Sequence, residues 1–112
     1  MTLLSKRDIL AGIAGCAAIP AIPSHAETAV RHEIDITQFE FLPEVLEVKT
    51  GDEVRWLNSD LAPHTATASD ESWDTGGLEK GEAGVVAVTR DMTPDYFCAY
   101  HPHMKGRLRI VE

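Results

Sequence analysis

The sequence predicts an all-β protein, folded as a sandwich or a barrel of short strands. No segment after Ala26 keeps a helical period. Short runs that alternate apolar with polar residues, or that are rich in valine, recur along the chain instead, and this spacing is typical of strands. Proline and glycine residues separate the runs, as expected for the turns of a β-sandwich or barrel.

Seven runs are predicted to form strands. The first alternates charged residues with Ile34 and Ile36, the fifth is rich in valine, and the sixth carries Tyr96 and Phe97 directly before Cys98. In chain order the predicted strands cover residues 31–36, 39–41, 45–50, 53–58, 84–90, 96–98 and 106–111.

Two of the joins carry a more specific prediction. Gly51 and Asp52 stand between two alternating runs, and such a pair predicts a β-hairpin. Residues 69–84 form the least regular part of the chain and include Gly76 and Gly77. We therefore expect a loop there that crosses from one sheet to the other.

The N-terminal segment has the pattern of a secretory signal peptide. Lys6 and Arg7 precede a mostly apolar run, and the small-x-small sequence that ends at Ala26 is typical of a cleavage site. The apolar run is interrupted by proline and falls short of the roughly 20 apolar residues of a membrane-spanning helix. We expect a signal peptide at residues 1–26, a single domain at residues 27–112, and export to the periplasm.

Two features of this segment leave alternatives open. Cys16 ends a short sequence similar to a bacterial lipoprotein box, which would give a lipid-anchored protein, and we favour cleavage after Ala26 instead. Lys6 and Arg7 loosely resemble a twin-arginine signal, so both the Sec route and the twin-arginine route of export stay open. Cleavage after Ala26 leaves Cys98 as the one cysteine of the exported chain, with no partner for an internal disulfide.

Composition limits the classes of function. A chain of 112 residues is long enough for one domain and short for two. The formal net charge is −8, and this acidic balance argues against nucleic-acid binding, which needs clustered lysine and arginine. The carboxylates are spread along the chain without the paired spacing of acid–base catalysis, so we interpret them as a solvated surface.

Four side chains form the ligand inventory of a mononuclear electron-transfer copper site. Cys98, His101 and Met104 follow one another in a C-x2-H-x2-M pattern, and His64 lies upstream. Two histidines and one cysteine in a trigonal plane, with a weak axial methionine, are the ligands of such copper centres. Taken singly, each of these residues is more often a packing or surface residue, and the combination carries the prediction. His103 is a competing ligand, but we favour His101.

The chain resembles the cupredoxins, the small blue copper proteins, and within them the amicyanins, whose short ligand loop has the same C-x2-H-P-x-M pattern. The resemblance spans the predicted domain and includes residues 48–58, 63–64, 95–98 and 101–106. It implies a Greek-key β-sandwich of about eight strands that holds one type 1 copper ion and transfers single electrons between larger redox proteins. The ligands it implies are His64, Cys98, His101 and Met104.

The sequence departs from the family pattern at three positions beside the ligands. An asparagine commonly follows the upstream histidine and a threonine or serine commonly follows the cysteine, and the two tie their loops together. Thr65 and Ala99 stand at these positions, so this brace is missing or replaced. Tyr100 stands where the amicyanins have proline.

The leading interpretation is a soluble one-electron carrier without enzymatic activity. The alternative is a copper carrier or storage protein that uses the same ligands. We expect redox protein partners, a cytochrome or a dehydrogenase, no nucleic acid, no membrane span and a monomeric state. His32 is interpreted as a surface residue, and Trp56 and Trp73 as packing residues.

Overall fold

The computed structural model describes residues 29–112, so the predicted signal peptide and the lipoprotein alternative at Cys16 lie outside the described residues. Eight β-strands make up the secondary structure of the described part. They are β1 (Arg31–Thr37), β2 (Glu40–Leu42), β3 (Val45–Lys49), β4 (Glu53–Asn58), β5 (Thr67–Ala68), β6 (Ala83–Ala87), β7 (Asp95–Phe97) and β8 (Lys105–Val111). Between residues 29 and 112 we find no helix with the length and hydropathy of a membrane span.

The strands form two four-stranded sheets that pack into a sandwich, as predicted. One sheet has the order β2-β1-β4-β6 and the other the order β3-β8-β7-β5. Each sheet contains one parallel pair, β1 with β4 and β3 with β8, among antiparallel neighbours. These parallel pairs join strands that are distant in sequence.

The predicted hairpin at Gly51 and Asp52 is wrong. The strands that flank this turn belong to different sheets: β3 pairs with β8, whereas β4 pairs with β1 and β6. The turn is nonetheless tight, with Gly51 at a φ of 100°, a conformation that favours glycine. Alternation shows which face of a strand is buried, but it does not show which strand lies at its edge. The turn residues therefore mark the position of the turn and leave the pairing of its strands open.

Alternating buried residues of both sheets form the core. Trp56 and Tyr96 are fully buried at its centre, with ring centroids 5.4 Å apart and planes at 79°. Tyr96 lies opposite Gly106 in the β7–β8 pair, and a Cβ at Gly106 would stand 2.3 Å from the tyrosine ring. Gly106 therefore leaves the space into which this ring packs. Trp73 packs against the same cluster, so both tryptophans are packing residues, as predicted.

The long crossover is confirmed, although the short strand before it has no counterpart among the predicted runs. β5 has only two residues and belongs to one sheet, and β6 belongs to the other, so the segment between them crosses the sandwich. Because β1 and β4 are parallel, their C-terminal ends lie at the same end of the sheet. The loops that follow them therefore meet at one end of the sandwich, close to the turn between β7 and β8.

Candidate metal centre

Three potential ligand atoms converge at this end of the sandwich. The ligand atoms of His64, Cys98 and His101 all lie within 4.8 Å of one another. Cys98 Sγ is 3.7 Å from His64 Nδ1 and 3.6 Å from His101 Nδ1. His64 and Cys98 are fully buried, and His101 is half-buried.

The spacing of the ligand loop follows from its backbone hydrogen bonds. The amide of His101 donates to the carbonyl of Cys98 at 3.1 Å, and the amide of Met104 donates to the carbonyl of His101 at 2.9 Å. The amide of Cys98 donates in turn to the carbonyl of Met104 at 3.1 Å. These three hydrogen bonds connect Cys98, His101 and Met104 in a closed ring of backbone contacts. The C-x2-H-x2-M spacing allows this ring because it places the three residues at intervals of three.

His64 is positioned through both its backbone and its side chain. Its amide and carbonyl bond to Leu78 of the crossover, at 3.1 and 2.8 Å. Its Nε2 lies 2.8 Å from Asp60 Oδ2. An ionised carboxylate can only accept a hydrogen bond, so Nε2 carries the proton in the neutral ring and Nδ1 keeps its lone pair. That lone pair is on the nitrogen that faces Cys98.

Asp60 joins this histidine to the tight turn between β1 and β2. Its carboxylate accepts hydrogen bonds from the amides of Gln38 at 2.7 Å and Phe39 at 3.0 Å. Burial acts to raise the pKa of Asp60, but these two amides and the His64 ring stabilise the anion, and the net effect is a lowered pKa. The site therefore has a carboxylate held ionised behind one of its imidazoles.

Phe39 covers the two imidazoles. Its ring centroid lies 5.0 Å from that of His64 and 4.8 Å from that of His101, edge-on in both cases. Phe39 and Gln38 both have positive φ, a strained arrangement that the two hydrogen bonds to Asp60 stabilise. Sequence analysis missed Asp60 and Phe39, because their roles depend on loops that only the parallel pairing of β1 and β4 brings together.

The brace between the two ligand-bearing loops is replaced rather than missing. Thr65 Oγ1 accepts a hydrogen bond from the Ala99 amide at 2.7 Å, so the backbone of Ala99 supplies what its side chain cannot. The amide of Thr65 lies 3.4 Å from Cys98 Sγ and points a donor at the sulfur. Tyr100 packs over Gly77, where a Cβ would stand 2.5 Å from the tyrosine oxygen.

The predicted ligand Met104 and the competing residue His103 differ in burial. Met104 is buried at 3% exposure, and its backbone closes the ligand loop. His103 is exposed, its ring centroid is 6.4 Å from that of His101, and it is not part of the cluster of ligand atoms. The structure thus groups His101, and not its neighbour, with His64 and Cys98.

The donor set fits a metal ion. The Cys98 sulfur lies between two imidazole nitrogens, the lone-pair-bearing Nδ1 of His64 and the Nδ1 of His101, and thiolate sulfur and imidazole nitrogen are both metal ligands. Nitrogens about 2.0 Å and a sulfur about 2.3 Å from an ion, as in zinc sites, stand about 3.7 Å apart when three bonds share a plane. The separations of 3.6 and 3.7 Å match that arrangement.

Comparison with known proteins decides the family. The model of the copper binding proteins, plastocyanin/azurin family, matches residues 28–111, three quarters of the chain. The chain belongs to this family. The cupredoxin resemblance is confirmed, and the cofactor of this plastocyanin/azurin-family protein is one type 1 copper ion.

Amicyanins are among the relatives of this chain. The chain is 30% identical over 84 residues to amicyanin of Paracoccus denitrificans, an alignment that covers 70% of this chain and 63% of that protein, less than two thirds of its length. It is 28% identical to amicyanin-alpha of Methylorubrum extorquens, with 91% and 94% covered. A solved mutant of amicyanin in its Cu(I) form superposes with a TM-score of 0.65 at 28% identity, covering 77% of this chain and 89% of that one.

Proposed function

We propose that this chain is a type 1 copper protein that carries single electrons, with the copper bound by His64, Cys98, His101 and Met104. The observation that carries the proposal is the cluster of two imidazole nitrogens around one cysteine sulfur, at 3.6 and 3.7 Å. Thiolate and thioether sulfur suit Cu(I), and imidazole suits both oxidation states. Bound copper supplies the one-electron couple.

The protein residues keep the ligands in place in both oxidation states. The backbone ring of the ligand loop, the Leu78 contacts of His64 and the Asp60 hydrogen bond restrict the movement of each side chain. A ligand set that cannot relax needs little reorganisation when one electron is gained or lost. The amide of Thr65 stabilises charge on the Cys98 sulfur, and such hydrogen bonds tune the potential of thiolate copper sites.

His101 is the proposed point of electron entry and exit. It is the half-buried member of a set whose other members are buried. Phe39 and Tyr100, with 43% and 54% of their surfaces exposed, border it as apolar surface. A partner that docks on this face would lie within contact distance of a ligand ring. We propose a cytochrome or a dehydrogenase as the partner.

The remaining assignments are proposals of the same kind. We propose export to the periplasm with removal of residues 1–26, a domain at residues 27–112, and a role without catalysis. The match to amicyanins supports an electron carrier. Mass spectrometry of the exported protein tests the cleavage site: the expected chain begins at Glu27, and a lipid-modified chain beginning at Cys16 would contradict it.

The test of function is a spectrum followed by a rate. The copper-loaded protein is expected to have an intense visible band from charge transfer between the thiolate and Cu(II), and the zinc-loaded protein, as a control, should lack it. Reduced protein mixed with an oxidised cytochrome c should lose its electron while the metal stays bound. Absence of the band would contradict the proposed ligands.

A copper carrier would behave differently in the second step. Such a protein must release its metal, so its copper would pass to a chelator as fast as or faster than its electron passes to a redox partner. We expect the reverse, with electron transfer complete before a measurable fraction of the copper has left. Fast release together with slow electron transfer would favour the carrier interpretation.

A further inference from the structure

We propose that Thr65, Thr67 and Asp74 form a directional hydrogen-bond relay that positions the ligand loop of the copper site. Ala99 N lies 2.7 Å from Thr65 Oγ1, Thr65 Oγ1 lies 2.9 Å from Thr67 Oγ1, and Thr67 Oγ1 lies 2.9 Å from Asp74 Oδ1. The proposal rests on the ligand set proposed above. It assigns a positioning role to two residues, Thr67 and Asp74, neither of which is a proposed ligand or the sequence neighbour of one.

The two ends of the relay decide its direction. The amide of Ala99 can only donate, so Thr65 Oγ1 accepts there, and the hydroxyl hydrogen of Thr65 must be used elsewhere. The carboxylate of Asp74 can only accept, so the hydroxyl hydrogen of Thr67 is used on Asp74. Thr67 Oγ1 therefore accepts from Thr65, and every hydrogen in the relay points from the ligand loop towards the carboxylate.

Burial makes the relay selective. Thr65 and Thr67 are 3% and 5% exposed, so water is not a ready substitute partner for either hydroxyl. If the Thr67 hydroxyl were absent, the Thr65 hydroxyl would lack its acceptor and would gain by rotating its hydrogen towards another group, because an unsatisfied buried hydroxyl is destabilising. Its orientation towards Ala99 would then no longer be enforced.

Asp74 anchors the relay in the crossover. Its Oδ1 also accepts from the Gly76 amide at 2.9 Å, and its backbone forms a bridge with Thr67. Ala99 directly follows Cys98, and Thr65 directly follows His64. The relay therefore ties the peptides beside two proposed ligands to a single carboxylate, in place of the asparagine brace usual in this family.

The experiment compares four variants. Thr67→Val keeps the shape of the side chain and removes the hydroxyl, and Thr67→Ser keeps the hydroxyl. Asp74→Ala removes the terminal acceptor of the relay at an exposed position. Thr93→Val is the matched control, because Thr93 also donates to a carboxylate, Asp70 Oδ2 at 2.6 Å, in a bond that does not lead to the ligand loop.

Two readouts are measured on each variant. Amide hydrogen exchange at Ala99 is measured in the metal-free protein, and the reduction potential and visible band in the copper-loaded protein. We expect Thr67→Val and Asp74→Ala to speed Ala99 exchange by about tenfold, the change that roughly 1.4 kcal/mol produces. We expect both to lower the potential, because a displaced Thr65 amide stabilises the reduced site less. Thr67→Ser and Thr93→Val should match the wild type.

Three outcomes would overturn the proposal. Wild-type exchange at Ala99 in Thr67→Val would show that the relay does not hold this amide. Faster exchange with an unchanged reduction potential and visible band would show that the relay stabilises the loop but does not position the copper ligands. Equal effects in Thr93→Val would show that the relay is a general structural contact. If Thr67→Val does not fold, Asp74→Ala and Thr67→Ser decide between the relay and its absence. A wild-type protein without a blue band would contradict the proposed function, while Ala99 exchange would still test the relay.

Discussion

Two histidine–aspartate pairs stand at opposite ends of the sandwich, and they have nearly the same local chemistry. His64 Nε2 is 2.8 Å from Asp60 Oδ2, and His32 Nε2 is 2.8 Å from Asp52 Oδ2. His32 lies in β1, and Gln38, whose amide donates to Asp60, directly follows this strand. At a rise of about 3.3 Å per residue, these two positions are about 20 Å apart. In each pair the carboxylate also accepts two backbone amides.

The pairs differ in which partner is buried. The side chain of His64 is 0% exposed and that of Asp60 14%, whereas the side chain of His32 is 22% exposed and that of Asp52 3%. At the far end the buried group is the acceptor, which joins the Val30 and Lys49 amides and closes the sandwich. At the site end the buried group is the imidazole, whose second nitrogen faces Cys98. The same pairing thus serves structure at one end and the proposed metal site at the other.

The largest effect is expected from removing the Cys98 thiol, which stands beside the His64–Asp60 pair and has no counterpart beside the His32–Asp52 pair. Cys98→Ser leaves both histidine–aspartate pairs in place and replaces the thiolate by a hydroxyl. We expect complete loss of the intense visible band of the Cu(II) protein, because that band requires a thiolate ligand. Visible absorption after copper titration measures it, and near-ultraviolet circular dichroism checks that the variant is folded. A persisting band would contradict the assignment of Cys98.

The matched histidine substitutions separate the two ends. Glutamine can still donate to the neighbouring carboxylate at either position, but it cannot replace an imidazole as a copper ligand. We expect His64→Gln to lose the visible band and His32→Gln to keep it. His32→Gln should lower the unfolding free energy of the metal-free protein by less than about 1 kcal/mol, the value of a typical hydrogen bond, because glutamine keeps a donor to Asp52. Loss of the band in both variants would contradict the assignment of a structural role, and not a ligand role, to His32.

The aspartate substitutions should show the inverse order. Asp52→Asn replaces a buried anion with three donors around it, so we expect a loss of about 2 kcal/mol in unfolding free energy and no change in the copper spectrum. Asp60→Asn should cost less stability, because Asp60 is more exposed, but it should weaken copper affinity by about 10–100-fold, as expected for a group that orients a ligand. Chemical denaturation measures the unfolding free energy, and competition with a chelator measures the copper affinity. Equal copper affinities of Asp52→Asn and Asp60→Asn would contradict the role assigned to Asp60.

The smallest expected effect is a pH dependence of stability from the far end. Burial acts to raise the pKa of Asp52, but hydrogen bonds from His32 and from the Lys49 and Val30 amides outweigh it and hold the pKa below the ordinary value of 3.8. The unfolded state then binds the proton first as pH falls. The stabilisation is therefore fully present above pH 3.8 and is lost as pH falls through the lower, folded-state value.

Denaturation of the metal-free protein between neutral pH and about pH 3 measures this loss, since that range reaches below the ordinary pKa of an aspartate. The slope of stability against pH should be shallower in Asp52→Asn than in the wild type, because the substituted amide does not titrate. Asp35→Asn is the control, since Asp35 is a carboxylate of β1 that accepts a hydrogen bond from the Ser59 hydroxyl and lies away from the Asp52 cluster. Parallel curves for wild type and Asp52→Asn would contradict the role assigned to Asp52.

Sequence reasoning failed wherever a residue's role depends on a long-range neighbour. The interpretation of His32 as a surface residue misses its bond to a buried carboxylate. The interpretation of the carboxylates as a solvated surface is wrong for Asp52 and Asp60, which organise the two ends of the sandwich. Asp60 lies four residues before His64, a spacing that in a loop has no fixed geometry. No local pattern in the chain marks Asp60, and the turn pair of Gly51 and Asp52 does not show that Asp52 is buried.

The sequence alone predicted seven of the eight strand-forming segments, the crossover, the turn at Gly51 and the candidate ligands in the Cys98 loop. These are local properties, because alternation, turn residues and a three-residue spacing each act within a few positions of the chain. Tertiary structure alone decided that β3 and β4 part into different sheets, and which loops meet at the metal end. Strand pairing depends on the packing of both faces of the sandwich, and the roles of Asp60, Phe39 and Thr65 exist only once that packing has brought distant segments into contact.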